Sequence, residues 1–390
     1  MTASVFGYPI IDVDSHIIEP PDLWTSRLAK KWGSDVPHIE THPMTGEEMW
    51  AIGNDLLSPV AFFAIVGSQY VFPEYPRGLA EADPAVHDPV ARLAKLDENG
   101  IYAQVLYPNL IGQFFADKFA DLDPKLALEC VRAYNDYLTE FCSADPARLI
   151  PLTVLPFWDI QASIRELERC AAMGHRGMLF AHTFANVGLP NIPDPHWAPL
   201  LDAAQSLGQS VNFHIGFASA AEQDWSEYRH TPRRTIAAEG VLNFMSNARA
   251  INMLTIDGVC HRYPDLKFVC VESGFGFVPM QLQTMDWQWV NNGASEVEPD
   301  ALLPSEYFRR QVFVTFWFER PSPEQLENLR DNVMWETDYP HPSAQWPTPR
   351  VDIAKNARDA IEYSFAGVSE GTRRQVLYEN AAKLYRVGSV

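Results

Sequence analysis

The sequence predicts an α/β protein, a (β/α)8 TIM-like barrel. Three observations carry that prediction. Eight short apolar runs are spread along 390 residues. Helical patterns with clear caps alternate with them. Several of the runs end in a carboxylate or an imidazole.

The runs are Ile10–His16, Ile101–Pro108, Leu149–Phe157, Gly177–Thr183, Ser210–Gly216, Lys267–Ser273, Val312–Phe318 and Val333–Tyr339. Most are continuously apolar, as strands covered on both faces of a parallel sheet are. Between them, Asp88-Pro89 opens a helical pattern that passes Leu93 and Leu96 and stops at Gly100, with an N-cap and a proline in the first turn. Asp123-Pro124 opens a second, to about Phe141. Asp159 caps a third, ending near Met173-Gly174. Asp194-Pro195 begins a fourth that stops at Gly208. Strand–helix alternation implies right-handed parallel units, and eight of them over this length fit a barrel. An open doubly wound sheet is the alternative. One domain is expected over 1–390. Stretches 18–87, 217–240 and 284–305 exceed the minimal unit, and each follows a run. They are expected to be lid segments on the face where barrel active sites form. The first is rich in Pro, Trp and Phe.

Composition narrows the function classes. With 47% hydrophobic and 12% aromatic residues the chain is globular. A formal net charge of −20 argues against nucleic acid and anionic membrane as partners. No apolar run approaches the roughly 18 residues of a membrane span. Five cysteines without a Cys-x-x-Cys fit reduced thiols in a cytoplasmic protein, and no secretory signal is expected. Gly274-Phe275-Gly276 begins like a dinucleotide fingerprint, but Pro279 stands at the third glycine position. No phosphate loop and no Gly-x-Ser-x-Gly elbow occur.

The strand ends carry the chemistry. In the first run Asp14 and His16 are two residues apart, so they share a face at its C-terminal end. A hard oxygen beside an imidazole suits a divalent metal. His182, His214, Glu272 and Asp338 close later runs, and His341 follows the last. Any one alone is ordinarily a hydrogen-bonded structural residue. Asp14, Glu272 and Asp338 in one cavity, however, repel one another unless a cation neutralises them.

Several motifs carry a family resemblance. They are Ile-Asp-x-Asp-x-His-x-x-Glu-Pro from Ile11 to Pro20, Arg262-Tyr263-Pro264-Asp265-Leu266-Lys267, Gly274 to Pro279, Glu336-Thr337-Asp338-Tyr339-Pro340-His341, and Glu379-Asn380-Ala381-Ala382-Lys383-Leu384-Tyr385. The chain resembles the amidohydrolase superfamily over nearly its whole length, in particular the branch containing aminocarboxymuconate-semialdehyde decarboxylase. The resemblance implies metal ligands at Asp14, His16, His182, His214, Glu272 and Asp338. It also allows a homodimer.

Two departures stand out. Asp14 replaces the first histidine of the usual His-x-His, and Glu272 replaces a strand-six histidine. Added carboxylates favour iron or manganese over zinc, and Glu272 is able to bridge two ions. The expectation is therefore a non-heme di-iron monooxygenase with two divalent ions, acting on a bulky apolar substrate, with Glu272 and Asp338 catalytic. Glu19 and His341 are expected as outer partners of the ions. The alternative is the usual family chemistry: one Zn or Mn ion, and hydrolysis or decarboxylation of a carboxylic acid with Asp338 as general base. A non-catalytic barrel is disfavoured, because each departure exchanges one good ligand for another. Phe62, Phe63, Phe114, Phe115, Phe217, Phe275, Trp317 and Trp346 are candidates to line the pocket, and Arg233 and Arg234 to hold an acidic group.

Overall fold

All eight apolar runs fold as strands in the computed structural model, which describes residues 6–112, 115–216, 232–345 and 356–388. In chain order the strands are β1 (Ile11–His16), β2 (His38–Thr41), β3 (Glu48–Ile52), β4 (Asp55–Pro59), β5 (Ala103–Tyr107), β6 (Leu149–Pro151), β7 (Gly177–Phe180), β8 (Ser210–His214), β9 (Phe268–Val271), β10 (Val312–Phe316) and β11 (Val333–Trp335). Parallel pairing runs β1-β5-β6 and β7-β8-β9-β10-β11. Two parallel bridges join these sheets into a closed ring, Thr153 to Met178 and Ser15 to Tyr339. The fold is thus a (β/α)8 barrel.

The strands are continuously buried because helices cover their outer faces. Those helices begin and end where the caps predict. Pro89–Asn99 starts with the Asp88 carboxylate accepting from the Ala91 amide and stops at Gly100, φ 70°. Pro124–Cys142 and Ile160–Ala172 are capped by Asp123 and Asp159. Asp194 caps a 3-10 turn, Pro195–Trp197, that leads into Ala198–Leu207. β6, Leu149–Pro151, is shorter than its run, and Thr153 beyond it still bridges to Met178. All five cysteines are buried and unbridged. No helix among the described residues is long and apolar enough to cross a membrane.

The expected lids divide into three outcomes. Stretch 18–87 does reach the mouth, but it carries an antiparallel sheet, β2-β3-β4, that the sequence reading missed. Trp50 of that sheet packs edge-on against buried Trp24, ring centroids 5.3 Å apart. Of 217–240, residues 217–231 lie outside the described part, and helix Pro232–Phe244 follows. Of 284–305, residues 284–291 form the second half of helix Val278–Asn291, whose Val278, Leu282, Met285 and Trp289 repeat at helical spacing and are buried. That periodicity places it in the outer layer of the barrel.

Candidate metal centre

The backbone marks the site first. Among the described residues three non-glycine residues have positive φ, and two of them are Glu272, φ 56°, and Asp338, φ 58°. Each directly follows a strand or its extension, β9 for one and β11 for the other. Left-handed backbone costs a non-glycine residue about 1 kcal/mol or more, and such strain gathers at functional sites. Here it turns both carboxylates inward at the barrel mouth. The loop after Glu272 is held by Glu319, whose carboxylate accepts from the Phe275 and Gly276 amides, each at 2.8 Å. Gly274 is required there: its φ is +73° and a Cβ would lie 2.8 Å from Glu319 Oε2. The glycine-rich motif therefore binds an internal carboxylate.

Asp14, His16, His214, Glu272, Asp338 and His341 converge. Three overlapping sets have their donor atoms within 4.8 Å of one another: Asp14–His16–His214, His16–Asp338–His341 and Asp14–Glu272–Asp338. Asp14 Oδ1 lies 3.4 Å from His16 Nε2, and Oδ2 lies 3.3 Å from His214 Nε2. His214 Nε2 is 3.5 Å from Glu272 Oε2, and His16 Nε2 is 3.5 Å from Asp338 Oδ1. All are buried.

The hydrogen bonds fix the tautomers. His16 Nδ1 sits 3.0 Å from the Pro108 carbonyl and His214 Nδ1 2.8 Å from the Ile215 carbonyl. A carbonyl only accepts, so each Nδ1 carries the proton and each Nε2 presents a lone pair to the site. Both Nε2 atoms, both oxygens of Asp14 and Oδ1 of Asp338 are buried without a hydrogen-bond partner. Five orphaned acceptor-type atoms facing one point fit a cation, which satisfies them together. The electrostatics agree. Burial, then the charges of Asp338 and Asp12, push the Asp14 carboxyl well above its usual range. Burial, then Asp338 and Asp14, do the same to Glu272. Burial also lowers His214 to about 4 and His16 well below its usual value, so both imidazoles are neutral.

The remaining candidates stand apart. His182 is buried just beyond β7 and belongs to none of the three sets. Glu19 also belongs to none of the three sets. Its Oε1 accepts from the Asn109 and Leu110 amides at 3.0 and 2.8 Å, and burial raises its carboxyl to about 7. Asn109 Oδ1 in turn takes the Nε2 proton of His341 at 2.7 Å, which leaves His341 Nδ1 3.0 Å from Asp338 Oδ1. Glu19 thus supports His341 through Asn109. His341 stacks on His16 with centroids 3.8 Å apart, and Phe63 of the first insertion covers it at 4.8 Å. Phe275 and Trp317 are fully buried core residues; Trp317 Nε1 donates to the Ser343 carbonyl at 2.9 Å. Phe62 packs on Phe63, Phe72 and Tyr75, and Phe115 is half-buried. Phe114, Phe217 and Trp346 lie outside the described residues. Arg233 and Arg234 are exposed in the first turn of Pro232–Phe244.

Sequence reasoning missed four supports, three of them fully buried. Asp12, one layer below Asp14, accepts from Thr337 N, Thr337 Oγ1, Gln104 Nε2 and Asp14 N. Arg92 donates to the carbonyls of His16 and Ala85 and to Gln104 Oε1. Glu336 is buried behind Glu272 and accepts its amide proton at 3.4 Å. Ser343 Oγ donates to Asp338 Oδ2 and lies 3.5 Å from Glu272 Oε1. Only Asp12 had a legible signal, the alternation that also found Asp14.

A barrel whose mouth gathers bare imidazole nitrogens and carboxylates has the donor set of metal-dependent barrel enzymes. The comparisons narrow this. The amidohydrolase family model matches residues 79–387, and the chain belongs to that family. The chain is 26% identical over 293 residues to the 2-amino-3-carboxymuconate-6-semialdehyde decarboxylase of Dictyostelium discoideum, covering 74% of this chain and 76% of that protein. It is 26% identical over 312 residues to the gamma-resorcylate decarboxylase of Rhodococcus jostii, covering 76% and 87%. Among solved structures, an amidohydrolase of Mycobacterium avium subsp. paratuberculosis superposes with a TM-score of 0.75 at 21% identity, covering 97% and 99% of the two chains. The 5-carboxyvanillate decarboxylase of Novosphingobium aromaticivorans, complexed with manganese and 4-hydroxy-3-methoxy-5-nitrobenzoic acid, does so at 0.65 and 17%, covering 99% and 98%.

These relatives overturn the expectation of a di-iron monooxygenase, and with it oxidoreductase chemistry on an apolar substrate. The matched curated proteins are decarboxylases. Donor hardness had suggested iron, but it suits a non-redox manganese ion equally well. The other ground for two ions was a separate ligand at His182, and His182 stays outside the clustered donors.

Proposed function

We propose that this protein is a metal-dependent, non-oxidative decarboxylase of a small planar carboxylic acid, using one divalent ion. The carrying observation is the set of orphaned donors on Asp14, His16, His214 and Asp338. These four residues would hold the ion. When bound, it would polarise the carboxylate and an adjacent oxygen of the substrate. The names of the curated relatives support decarboxylation of an acidic substrate.

The chain's own residues supply the rest. Losing carbon dioxide requires a proton at the carbon that carried the carboxylate. Glu272 and Asp338 flank the Ser343 hydroxyl and are the acid–base groups within reach of that position. Their left-handed backbones, the Glu319 clamp and the Glu336 contact fix where Glu272 points. Phe63, seated over His341, supplies an aromatic side chain beside the site that is suited to pack on a flat ring. Neutral His16 and His214 keep their Nε2 lone pairs for the ion.

The test is carbon dioxide release without dioxygen. Manganese-loaded protein, incubated anaerobically with gamma-resorcylate, 5-carboxyvanillate and related ortho-hydroxylated aromatic acids, should release it from at least one. Product formation that requires dioxygen, or hydrolysis of an ester or amide in its place, would refute decarboxylation.

A further inference from the structure

The barrel has a second concave site at its opposite end. A cleft of about 470 Å³ opens where β8, β9 and β10 begin, lined in part by Ser210, Lys267 and Phe313. Ser210 and His214 are the two ends of β8, so about 13 Å of strand separates this cleft from the metal centre. The N-terminal face of such barrels ordinarily serves stability, so a built cleft there calls for an explanation.

Its charge is anomalous. Lys267, Arg309, Arg310 and Lys383 all line it, in a chain of net charge −20. Among the described residues none of the four forms an ion pair, whereas neighbouring Arg330 pairs with Glu327 at 2.9 Å. The two carboxylates in the lining, Asp265 and Asp331, leave them unpaired. The cations are close enough to act on one another. Burial, then Arg310 and, more weakly, Lys383, lower the Lys267 ammonium below its usual range, with Asp265 opposing. Lys267 Nζ donates only to the Arg310 carbonyl, 3.0 Å away. Mutual repulsion in a recess is offset when an anion enters it. A second observation is independent of charge. Gln209 also lines the cleft, is 3% exposed, and its Oε1 has no hydrogen-bond partner. A buried orphan acceptor requires a donor.

We propose that this cleft binds a small organic polyanion carrying phosphate or carboxylate groups and a hydroxyl. Lys267, Arg309, Arg310 and Lys383 hold the charges, and Gln209 Oε1 takes the hydroxyl proton. The volume suits a metabolite-sized ligand. The claim is separate from decarboxylation and stands if that reading fails.

Calorimetry of the metal-loaded full chain tests it, with inorganic phosphate and with citrate as probes, against chloride at matched ionic strength. At least one probe should bind saturably, with Kd below about 1 mM. The stronger of the two tells which anionic group the cleft prefers. Lys383→Glu and Arg309→Glu, both at exposed positions, should each weaken binding about tenfold or more without lowering Tm. Asp331→Asn should strengthen it. Asp338→Asn should leave it unchanged, which excludes binding at the metal. No saturable binding above the chloride control would overturn the proposal. So would binding that survives both charge reversals, or binding lost in Asp338→Asn.

Discussion

Asp12 and Asp14 sit two residues apart on β1, point the same way and are both 0% exposed. The lower one is saturated. Asp12 receives four hydrogen bonds, two of them from Thr337, and its carboxyl rises only to about 6 despite full burial. The upper one receives none, and its carboxyl is driven well above the usual range. The same residue type on the same strand is an anchor in one layer and an unfilled ligand in the next. Burial is equal, so the difference lies in the donors the barrel supplies to Asp12 and in the Asp338 and Asp12 charges that act on Asp14. A carboxylate denied donors in a dry barrel is arranged for a partner from outside.

The contrast can be broken by experiment. The largest expected effect is at the upper layer. Asp338→Asn removes one of the orphaned oxygens and a group placed to move protons, and should lower kcat/KM on the order of a thousandfold. A loss under tenfold, read in steady-state assays of the metal-loaded protein, would remove Asp338 from the chemistry. Next come the paired alanine variants. Asp12→Ala strands four side-chain and backbone donors and should cost about 3 kcal/mol in chemical unfolding. Asp14→Ala strands none, so the metal-free variant should be as stable as wild type or more so, while metal affinity measured by competition with a chelator collapses. Equal destabilisation by both would erase the distinction between the layers.

Glu19 gives the pH test. Its folded carboxyl titrates near 7, above the ordinary 4.5. The folded state therefore holds the proton more tightly, so its stabilising effect is complete below about 4.5 and is lost as pH rises through 7. Glu19→Gln escapes that loss. Its stability relative to wild type should improve by about 3 kcal/mol between pH 4.5 and 8. A constant difference across that range in urea titrations would show that Glu19 is not desolvated. The smallest effect is at Asn109. Asn109→Ala frees His341 Nε2 and should reduce metal affinity about tenfold with little change in Tm. If metal affinity holds, His341 needs no orientation.

Much of the fold was legible because its determinants are local. Asp88-Pro89, Asp123-Pro124 and Asp159 start helices by capping their own first turns. Apolar runs of seven to nine residues, alternating with capped helices, read as buried strands. The first insertion was harder to read. β2 and β3 are only four and five residues long, too short for a clear alternation, and Trp50 packs on a partner, Trp24, from outside the sheet. The second half of helix Val278–Asn291 fell within the expected lid 284–305 because Met280, Trp287 and Val290 remain exposed and blur the helical periodicity.

The sequence by itself determined the order of strands and helices and placed Asp14, His16, His214, Glu272 and Asp338 at the strand ends, since period and capping act over a few residues. Only the tertiary structure decided that His341 joins these donors while His182 and Glu19 do not, and that Asp12 is saturated where Asp14 is bare. The reason is physical. The partners that settle those questions come from distant strands: Thr337 reaches Asp12 across 325 residues and Asn109 reaches His341 across 232. No local pattern records which distant donor arrives, and ring closure alone brings them together.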